Sequence, residues 1–383
     1  MGRRASVTHR YGSFEQDGVA RLGVRYDDQV LDLAAALEPG LAAEVAGPNL
    51  DRLLAGGPPL WDRVFAAVAV LEPLPEHLYP LADVRLLLPF TVADYVDFYS
   101  SEHHARNIGR MLRPDQPELP PNWKHLPVGY HGRAGTVVVS GTDVVRPRGQ
   151  RRTPEGEVVF GPTSRLDVEA EVGFVVGVPS ALGTSVPMAG FREHVFGVCL
   201  VNDWSARDIQ AWEYQPLGPF LAKSFATSVS AWVTPLAALD AAWVAPPPRD
   251  EQPLPYLDDA SLAPAGLDLR IEISLNGNRV ARPPYSSMYW TAAQQLAHLT
   301  VNGASLRSGD LYASGTVSGP ERDERGSLME LSWNGAEPID LADGSSRTFL
   351  EDGDEVVITA TAPAVGGGLL ELGEVRGKVS PTL

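Results

Sequence analysis

The sequence predicts a mainly β (α+β) protein with a small β-rich domain at residues 1–90 and a large domain at residues 91–383. Many short alternating or apolar runs are separated by glycine and proline, which is typical of strands and turns. Long helical periodicities are few, and strands do not alternate regularly with helices as they do in parallel α/β folds. The chain has 383 residues, 44% of them hydrophobic, which is enough for one large and one small domain.

The first 90 residues indicate a hairpin followed by helices. Residues 19–25 partly alternate, Asp27 and Asp28 indicate a turn, and residues 30–33 return as the partner strand. Helical patterns follow at 51–54 and 60–71, and prolines at 73, 75 and 80 end them. Residues 84–89 are predicted to be a strand that links the two domains.

The large domain is predicted to be built from short strands. They cover residues 135–140, 158–160, 165–178, 195–201, 267–275, 311–316 and 355–360. The proline-rich and charged residues 246–255 predict a solvated surface loop. We find no repeats of fixed period and no glycine-rich phosphate loop.

Charge and cysteine content exclude several classes of protein. The formal net charge of −17 argues against a nucleic-acid binder, and it favours a soluble cytoplasmic protein. The single cysteine, Cys199, lies in an apolar run and is expected to be a buried thiol outside any disulfide. Residues 1–6 match a myristoylation pattern and a twin-arginine pair, which we take as chance, and the longest apolar run, residues 64–71, is too short to span a bilayer.

Residues 201–232 combine charges, amides and aromatic rings in an otherwise apolar setting. If Asp203 opens a helix, one face carries Asp203, Arg207, Gln210 and Tyr214. Pro216, Gly218 and Pro219 end that helix, and the chain returns through a predicted apolar strand that carries Lys223 and Thr227. The alternative is a surface Asp/Arg pair, worth only about 0.3–0.5 kcal/mol.

Four acidic residues stand in apolar or aromatic surroundings. They are Asp97, Glu169, Glu171 and Asp203. If they converge, each like-charge pair costs about 1 kcal/mol in water and about 4 kcal/mol at an effective dielectric constant of 20, so the site must protonate or hold a cation. Oxygen ligands without cysteine favour Ca²⁺ or Mg²⁺ over zinc. Alternatively, residues 166–174 form an amphipathic strand with a solvated acidic face.

His104 is the candidate general base. If residues 97–107 were one helix, Asp97 and His104 would share a face, and an imidazole titrates near neutral pH. Glu330, in a predicted apolar strand, could orient its second ring nitrogen. The alternatives are a structural or surface histidine and an edge-strand glutamate. Residues 313–320 form either a simple tight turn or a ligand contact in which Thr316 offers a hydroxyl group.

Long motifs in a fixed order give a more specific indication. They occupy residues 94–109 (DYVDFYSSEHHARNIG), 126–134, 166–177, 202–233, 288–303 and 313–321 (ASGTVSGPE). With these motifs the chain resembles the fumarylacetoacetase family over essentially its whole length. The resemblance implies a small SH3-like N-terminal barrel, a C-terminal β-sandwich roll that carries the site, and a homodimer.

The resemblance also implies an activity, which is hydrolysis of 4-fumarylacetoacetate to fumarate and acetoacetate, the last step of tyrosine and phenylalanine catabolism. It implies that Ca²⁺ or a similar ion binds Asp97, Glu169, Glu171 and Asp203, and that Lys223 and Thr227 adjoin a second, Mg²⁺, position shared with Asp203. His104, oriented by Glu330, would activate water, and Arg207, Gln210 and Lys223 would stabilise the oxyanion. The implied substrate-binding residues are Tyr99, Arg113, Tyr130, Gln210, Tyr214 and Thr316.

Two other functions remain open at this point. One is hydrolysis of a related acylpyruvate or 2-oxo acid. The fumarylacetoacetase assignment is favoured over it by the set Arg207, Gln210, Tyr214 and Lys223. The other is a calcium-stabilised binding protein without catalysis. His104 beside Asp97 argues against it, because a structural metal site needs no base. Residues 361–373 are more apolar and glycine-rich than the resemblance leads us to expect, which bears on packing or a dimer interface. Nothing in the sequence decides between Ca²⁺ and Mg²⁺.

Overall fold

A computed structural model describes residues 7–383, so the motif at residues 1–6 lies outside the described part. The N-terminal elements are β1 (Val7–Gln16), β2 (Val19–Tyr26), β3 (Gln29–Asp32), α1 (Leu33–Ala36), α2 (Pro39–Val45), α3 (Asp51–Ala55), α4 (Gly57–Ala69), β4 (Leu78–Pro80) and β5 (Arg85–Leu87). The predicted hairpin is confirmed as β2 and β3, which pair antiparallel. The predicted helices are confirmed as α3 and α4, and the strand predicted at residues 84–89 is confirmed as β5.

The next elements lead into the centre of the large part. They are β6 (Asp94–Phe98), α5 (Glu102–Leu112), β7 (Gly129–His131), β8 (Val137–Val139), β9 (Val144–Val145), β10 (Arg148–Arg152), β11 (Val158–Pro162), β12 (Leu166–Asp167), β13 (Ala170–Val176), α6 (Phe191–His194), β14 (Val195–Asp203), β15 (Ser205–Ala206) and α7 (Arg207–Glu213). The single strand predicted at 165–178 is therefore two strands, because the chain leaves the regular path between Asp167 and Ala170.

The remaining elements complete two sheets. They are β16 (Thr227–Val229), β17 (Trp232–Pro235), β18 (Trp243–Val244), β19 (Gly266–Leu267), β20 (Arg270–Leu275), β21 (Asn278–Ala281), α8 (Ala292–Thr300), β22 (Asp310–Ala313), α9 (Leu328–Leu331), β23 (Ile339–Asp340), β24 (Ser346–Arg347), β25 (Glu355–Pro363), β26 (Leu369–Glu371) and β27 (Val375–Ser380). The protein is mainly β, as the sequence predicts. Residues 246–254 form a loop, but Arg249 is only partly exposed because it binds Asp259.

One large sheet runs through both parts of the chain. Its order is β4-β3-β2-β1-β17-β14-β13-β22-β6-β7, with β5 on β1, β16 on β14 and β8 on β16. The N-terminal strands join it where Tyr11 of β1 pairs with Val233 of β17. Within residues 7–383, β1–β5 remain an open arrangement that continues into this sheet, with no closed barrel. A second sheet has the order β21-β20-β25-β27-β9, with β26 on β25.

The centre of the large sheet is buried on both faces. Side chains such as Phe174 and Leu200 pack into the core of the large part. Val175 and Cys199 point the other way, into a core shared with the N-terminal helices, including Trp61. Strands covered on both sides are continuous apolar runs in sequence, which explains residues 195–201. Burial raises the pKa of the Cys199 thiol to about 12, so the prediction of a buried thiol is confirmed.

Within residues 7–383, no helix is both long enough and apolar enough to cross a bilayer.

Candidate active site

Four carboxylates meet at one end of the central strands. Asp97 lies on β6, Glu171 on β13 and Asp203 at the end of β14, and Glu169 directly precedes β13. One oxygen of each lies within 4.8 Å of one oxygen of every other, and all four side chains are buried. Parallel pairing places Asp97 beside Ala313 of β22, and antiparallel pairing places Glu171 beside Val201 of β14. The predicted convergence of these residues is therefore present, and the solvated acidic face is excluded.

Part of this cluster has no hydrogen-bond donor among residues 7–383. Asp97 Oδ1 and both carboxylate oxygens of Glu171 are buried without a hydrogen bond among the described residues. Burial, and then the charge of Asp203, raise the pKa of Asp97; burial, and then the charge of Asp97, raise the pKa of Glu171. Buried anions that lack donors need a cation or a proton. The donor set, oxygen only, fits a hard divalent ion.

Two cations compensate the other carboxylates of the cluster. Lys223 Nζ donates to Glu169 and, at 2.8 Å, to Asp203 Oδ2. Arg207 NH2 lies 2.7 Å from Glu169 Oε1. Although burial favours the neutral acid, Lys223 and Arg207 lower the pKa of Glu169. Although burial opposes charge on both cations, the carboxylates raise the pKa of Lys223 and of Arg207.

His104 and Glu330 form a buried pair beside the cluster. His104 Nδ1 lies 2.7 Å from Glu330 Oε2, and both side chains are almost fully buried. Burial favours the neutral acid, but the neighbouring His104 lowers the pKa of Glu330. With its proton on Nδ1, the ring keeps an unprotonated Nε2, and Nε2 has no hydrogen-bond partner within residues 7–383. This geometry suits a general base.

Further predicted residues lie around this centre. Tyr130 on β7 donates from its hydroxyl group to Asp203 Oδ2 at 2.9 Å, and Thr227 Oγ1 donates to Asp203 Oδ1 at 2.9 Å. Gln210 Oε1 accepts from Arg207 NH1 at 3.2 Å. Thr316 Oγ1 is buried without a partner among the described residues, so this hydroxyl group is available to a ligand.

The aromatic side of the site is formed by Tyr99. Its ring packs edge-on against His104, with 5.2 Å between the ring centroids. Burial, followed by the charge of Glu330, raises the pKa of Tyr99, and Arg113 at the end of α5 acts in the opposite direction. Arg113 is therefore near Tyr99. Tyr214 is not brought into hydrogen-bond contact with the group, since its side chain is 39% exposed and its hydroxyl accepts from Gln215.

Two local predictions about these residues are wrong. Asp203 does not open a helix, because it ends the buried strand β14, and α7 begins only at Arg207. Asp97 and His104 do not share a helix face, because Asp97 lies on β6 and Ser101 caps the start of α5. These residues meet through sheet register and tertiary packing.

Two further predictions of strands are also wrong. Lys223 lies in a turn before β16 and not in a strand. Glu330 lies in α9, where Ser327 accepts from the Glu330 N–H. The side chain of Lys223 is a protonated donor, so only its main-chain carbonyl oxygen could ligate a metal ion.

Three residues that support the site were not predicted as site residues. Asp167 belongs to the acidic run of residues 166–174, but only the structure shows that it binds Arg207. Ser327 and Ser318 donate to Glu330 Oε2 at 2.8 and 3.0 Å. Ser327 and Glu330 form the pattern Ser-x-x-Glu, a sequence signal for a helix start that could have revealed α9.

Comparisons with known proteins find relatives that match 97% of this chain. Fumarylacetoacetase of Homo sapiens is 44% identical over 401 residues, covering 97% of this chain and 95% of the relative. The fumarylacetoacetase of Caenorhabditis elegans is 44% identical over 402 residues, with 97% and 95% covered. That of Arabidopsis thaliana is 41% identical over 400 residues, with 97% and 94% covered.

Solved structures share the fold at low sequence identity. Fumarylacetoacetate hydrolase from Exiguobacterium antarcticum has a TM-score of 0.59 at 18% identity, covering 97% of this chain and 99% of that one. Maleylpyruvate hydrolase from Sphingobium sp. SYK-6, solved with manganese(II) and pyruvate, has a TM-score of 0.54 at 16% identity, covering 98% and 100%. The model of the fumarylacetoacetate (FAA) hydrolase C-terminal family matches residues 94–380. With this match and relatives more than 40% identical along its length, the chain belongs to the fumarylacetoacetate hydrolase family.

Proposed function

We propose that this protein hydrolyses the carbon–carbon bond of 4-fumarylacetoacetate to give fumarate and acetoacetate, the last step of tyrosine and phenylalanine catabolism. The observation that carries the proposal is the end-to-end similarity to fumarylacetoacetases at 41–44% identity. The buried His104–Glu330 pair beside the acidic cluster supports it, because a site that served only to stabilise the fold would need no base.

A divalent ion held by Asp97, Glu169, Glu171 and Asp203 is the second part of the proposal. We propose Ca²⁺ or Mg²⁺, and a second Mg²⁺ position beside Asp203, Lys223 and Thr227. The unpartnered oxygens of Asp97 and Glu171 support an ion at the first position. When bound, the ion supplies a Lewis acid for the diketone oxygens of the substrate and for the enolate that departs.

His104 is proposed to activate the attacking water. Its Nε2 would take a proton from water as the water oxygen bonds to the carbonyl carbon of the substrate, and the Glu330 carboxylate would stabilise the imidazolium that forms. The carbon–carbon bond then breaks, its electron pair passes to the acetoacetate fragment as an enolate, and the imidazolium proton returns to that fragment. Atoms and charge balance without any further reactant.

The alkoxide formed in this reaction needs donors. Arg207, Gln210 and Lys223 are proposed to supply them, since preorganised donors in a buried site stabilise developing charge strongly. The contact of Arg207 with Gln210 and the proximity of both cations to Glu169 support this assignment. The residues proposed to hold the substrate are Tyr99, Arg113, Tyr130, Gln210, Tyr214 and Thr316.

A direct assay tests the activity. Purified protein is compared on fumarylacetoacetate and on an acylpyruvate, with Ca²⁺, with Mg²⁺ and after chelation. We expect preferential turnover of fumarylacetoacetate that chelation abolishes and a divalent ion restores. Preference for the acylpyruvate would favour the related hydrolase, and an undiminished rate in chelator would remove the carboxylate cluster from catalysis. His104→Phe should abolish turnover while metal affinity is retained, and normal turnover would exclude His104 as the base.

We also propose that the protein is a cytoplasmic homodimer, and that residues 1–90 form an SH3-like domain ahead of the catalytic domain at 91–383. The antiparallel strands β1, β2 and β3 support the domain proposal, as does a family match that begins at residue 94. Exposed apolar side chains after α7, Leu217 and Phe220 among them, support a surface that a second copy covers. Light scattering of the purified protein gives the mass that tests the dimer.

A further inference from the structure

Asp167 is a fully buried carboxylate that contacts both Arg207 and the first turn of α9. Its Oδ2 accepts from Arg207 Nε at 2.8 Å and lies 2.8 Å from Arg207 NH2. Its Oδ1 accepts from the backbone N–H groups of Leu328 and Val168, both at 2.8 Å, and the Met329 N–H is shared between Oδ1, at 3.3 Å, and Oδ2, at 3.2 Å. Leu328 and Met329 form the first turn of α9, the helix that carries Glu330. One carboxylate thus joins the guanidinium group of Arg207 to the element that positions Glu330.

The contact with Arg207 restricts the orientation of its guanidinium group. Nε donates a hydrogen bond to Oδ2, and NH2 adds an ion-pair contact to the same oxygen, so one edge of the planar group is held against Asp167. Arg207 NH2 also lies 2.7 Å from Glu169, so Asp167 and Glu169 hold it from two sides and leave NH1 directed to Gln210. Without Asp167, the attraction to Glu169 would be unopposed, and the guanidinium group would shift toward the acidic cluster.

The contact with α9 acts on the other half of the site. The first N–H groups of a helix have no partner within the helix, and a carboxylate at this end satisfies them. Asp167 does so from a distant part of the chain, at the end of strand β12. The position of Glu330, and through it the position of the His104 ring, therefore depends on Asp167.

We propose that Asp167 is a positioning residue that sets the guanidinium of Arg207 and the α9 turn bearing Glu330 in register with each other. The inference rests on the roles proposed above for Arg207 and Glu330. It predicts that Asp167 acts on the rate through these groups without touching the substrate.

Asp167→Asn acts mainly on the contact with Arg207, because Oδ1 by itself reaches both the Leu328 and the Met329 N–H groups. The amide oxygen can keep the N–H groups of α9, while the amide N–H₂ faces the Arg207 donors and cannot accept from them. We expect kcat to fall about 100-fold, since a displacement of about 1 Å costs this much, with KM changed less than about threefold because ground-state binding is retained. Arg207→Met should lower kcat by ~10²–10³. The double variant should match R207M within about threefold, because Asp167 then has no guanidinium to position.

A matched control distinguishes positioning from stability. Asp354 is also buried, pairs with Arg347 through Nε and NH2, and accepts a backbone N–H from Glu351, but it directly precedes β25, outside the site. Asp354→Asn should lower the thermal midpoint and leave kcat per folded molecule unchanged. A second readout is rescue: ethylguanidinium should restore part of the activity of Arg207→Ala, and this rescue should be lost when D167N is added.

Kinetics are measured on whichever of fumarylacetoacetate or the acylpyruvate the wild-type protein hydrolyses. A wrong assignment of the substrate is then seen with the wild-type protein, and a wrong assignment of Asp167 is seen with the variants. A kcat of D167N within threefold of wild type would overturn the inference, as would a tenfold or greater further loss when D167N is added to R207M. If D167N does not fold alone, the double variant R207M/D167N can be used, because it leaves no buried guanidinium group unpaired. Its kcat, compared with the kcat of R207M, then tests the inference.

Discussion

Replacing Glu330 by glutamine removes a charge from the site with little change of shape. The carboxylate accepts four side-chain hydrogen bonds: Oε2 from His104 Nδ1 at 2.7 Å, Ser327 at 2.8 Å and Ser318 at 3.0 Å, and Oε1 from Asn107 at 2.9 Å. The three donors at Oε2 require the glutamine oxygen there. The amide N–H₂ then faces Asn107, whose own amide can turn to offer its oxygen. Every contact can therefore be kept while the negative charge is lost.

The expected effect follows from the His104 contact. A hydrogen bond that involves a charged group is worth about 1.5–3 kcal/mol, roughly twice a neutral one. The imidazolium that forms when His104 takes a proton also loses its counter-ion, so the transition state is raised by about 2–3 kcal/mol. This corresponds to a fall in kcat of roughly 30- to 150-fold. KM should change little, because the interaction strengthens only when His104 becomes charged.

The assay follows the loss of the ultraviolet absorbance of the conjugated diketone during steady-state hydrolysis. Glu324→Gln is the control, since it makes the same change in the nearby turn Arg322–Glu324, and its kcat should equal that of wild type. The thermal midpoint of Glu330→Gln should stay within a few degrees, because its hydrogen bonds persist. A kcat of Glu330→Gln within threefold of wild type would refute a role for the carboxylate charge in activating His104.

Three further predictions concern the stability of the fold. Glu171→Gln should stabilise the metal-free protein by ~1–2 kcal/mol in urea unfolding, because it removes like-charge pairs, and should lose the stabilisation that Ca²⁺ or Mg²⁺ adds; retention of that stabilisation would exclude Glu171 as a ligand. Gly315→Ala should destabilise the fold by ~2 kcal/mol or more and lower activity, because Gly315 has φ of 77° and an added Cβ would lie 2.2 Å from the Phe98 carbonyl oxygen; an unchanged urea midpoint would contradict this. Burial lowers the pKa of His9, stacked on Phe65, from 6.5 to about 4. As pH falls, the unfolded chain therefore binds a proton at this histidine before the folded chain does, so the free energy of unfolding is highest above pH 6.5 and decreases toward pH 4, by ~1–2 kcal/mol after allowance for partial exposure. His9→Phe should flatten this part of the plot of stability against pH.

Local sequence patterns predicted strands correctly where turn residues or a continuous apolar run mark the strand. The turn residues Asp27 and Asp28 lie between β2 and β3, so the antiparallel pairing of these strands could be expected, although residues 19–25 alternate only partly. The run that forms β14 is apolar throughout because both of its faces are covered. The same patterns failed at their ends: nothing in the neighbourhood of Asp203 shows that β14 extends to include it, because a charged residue at the end of an apolar run is equally compatible with a helix cap.

The sequence by itself determined the kind of chemistry available. It supplied four carboxylates in apolar surroundings, a histidine and a second glutamate, and motifs whose order indicates the family. Only the tertiary structure decided which of these groups touch. Asp97, Glu171, Asp203 and Glu330 come from distant parts of the chain, and their distances depend on strand register and on how α9 packs, which no local pattern contains. The two-sided role of Asp167 became visible for the same reason, since its partners, Arg207 and the first turn of α9, are brought together only by folding.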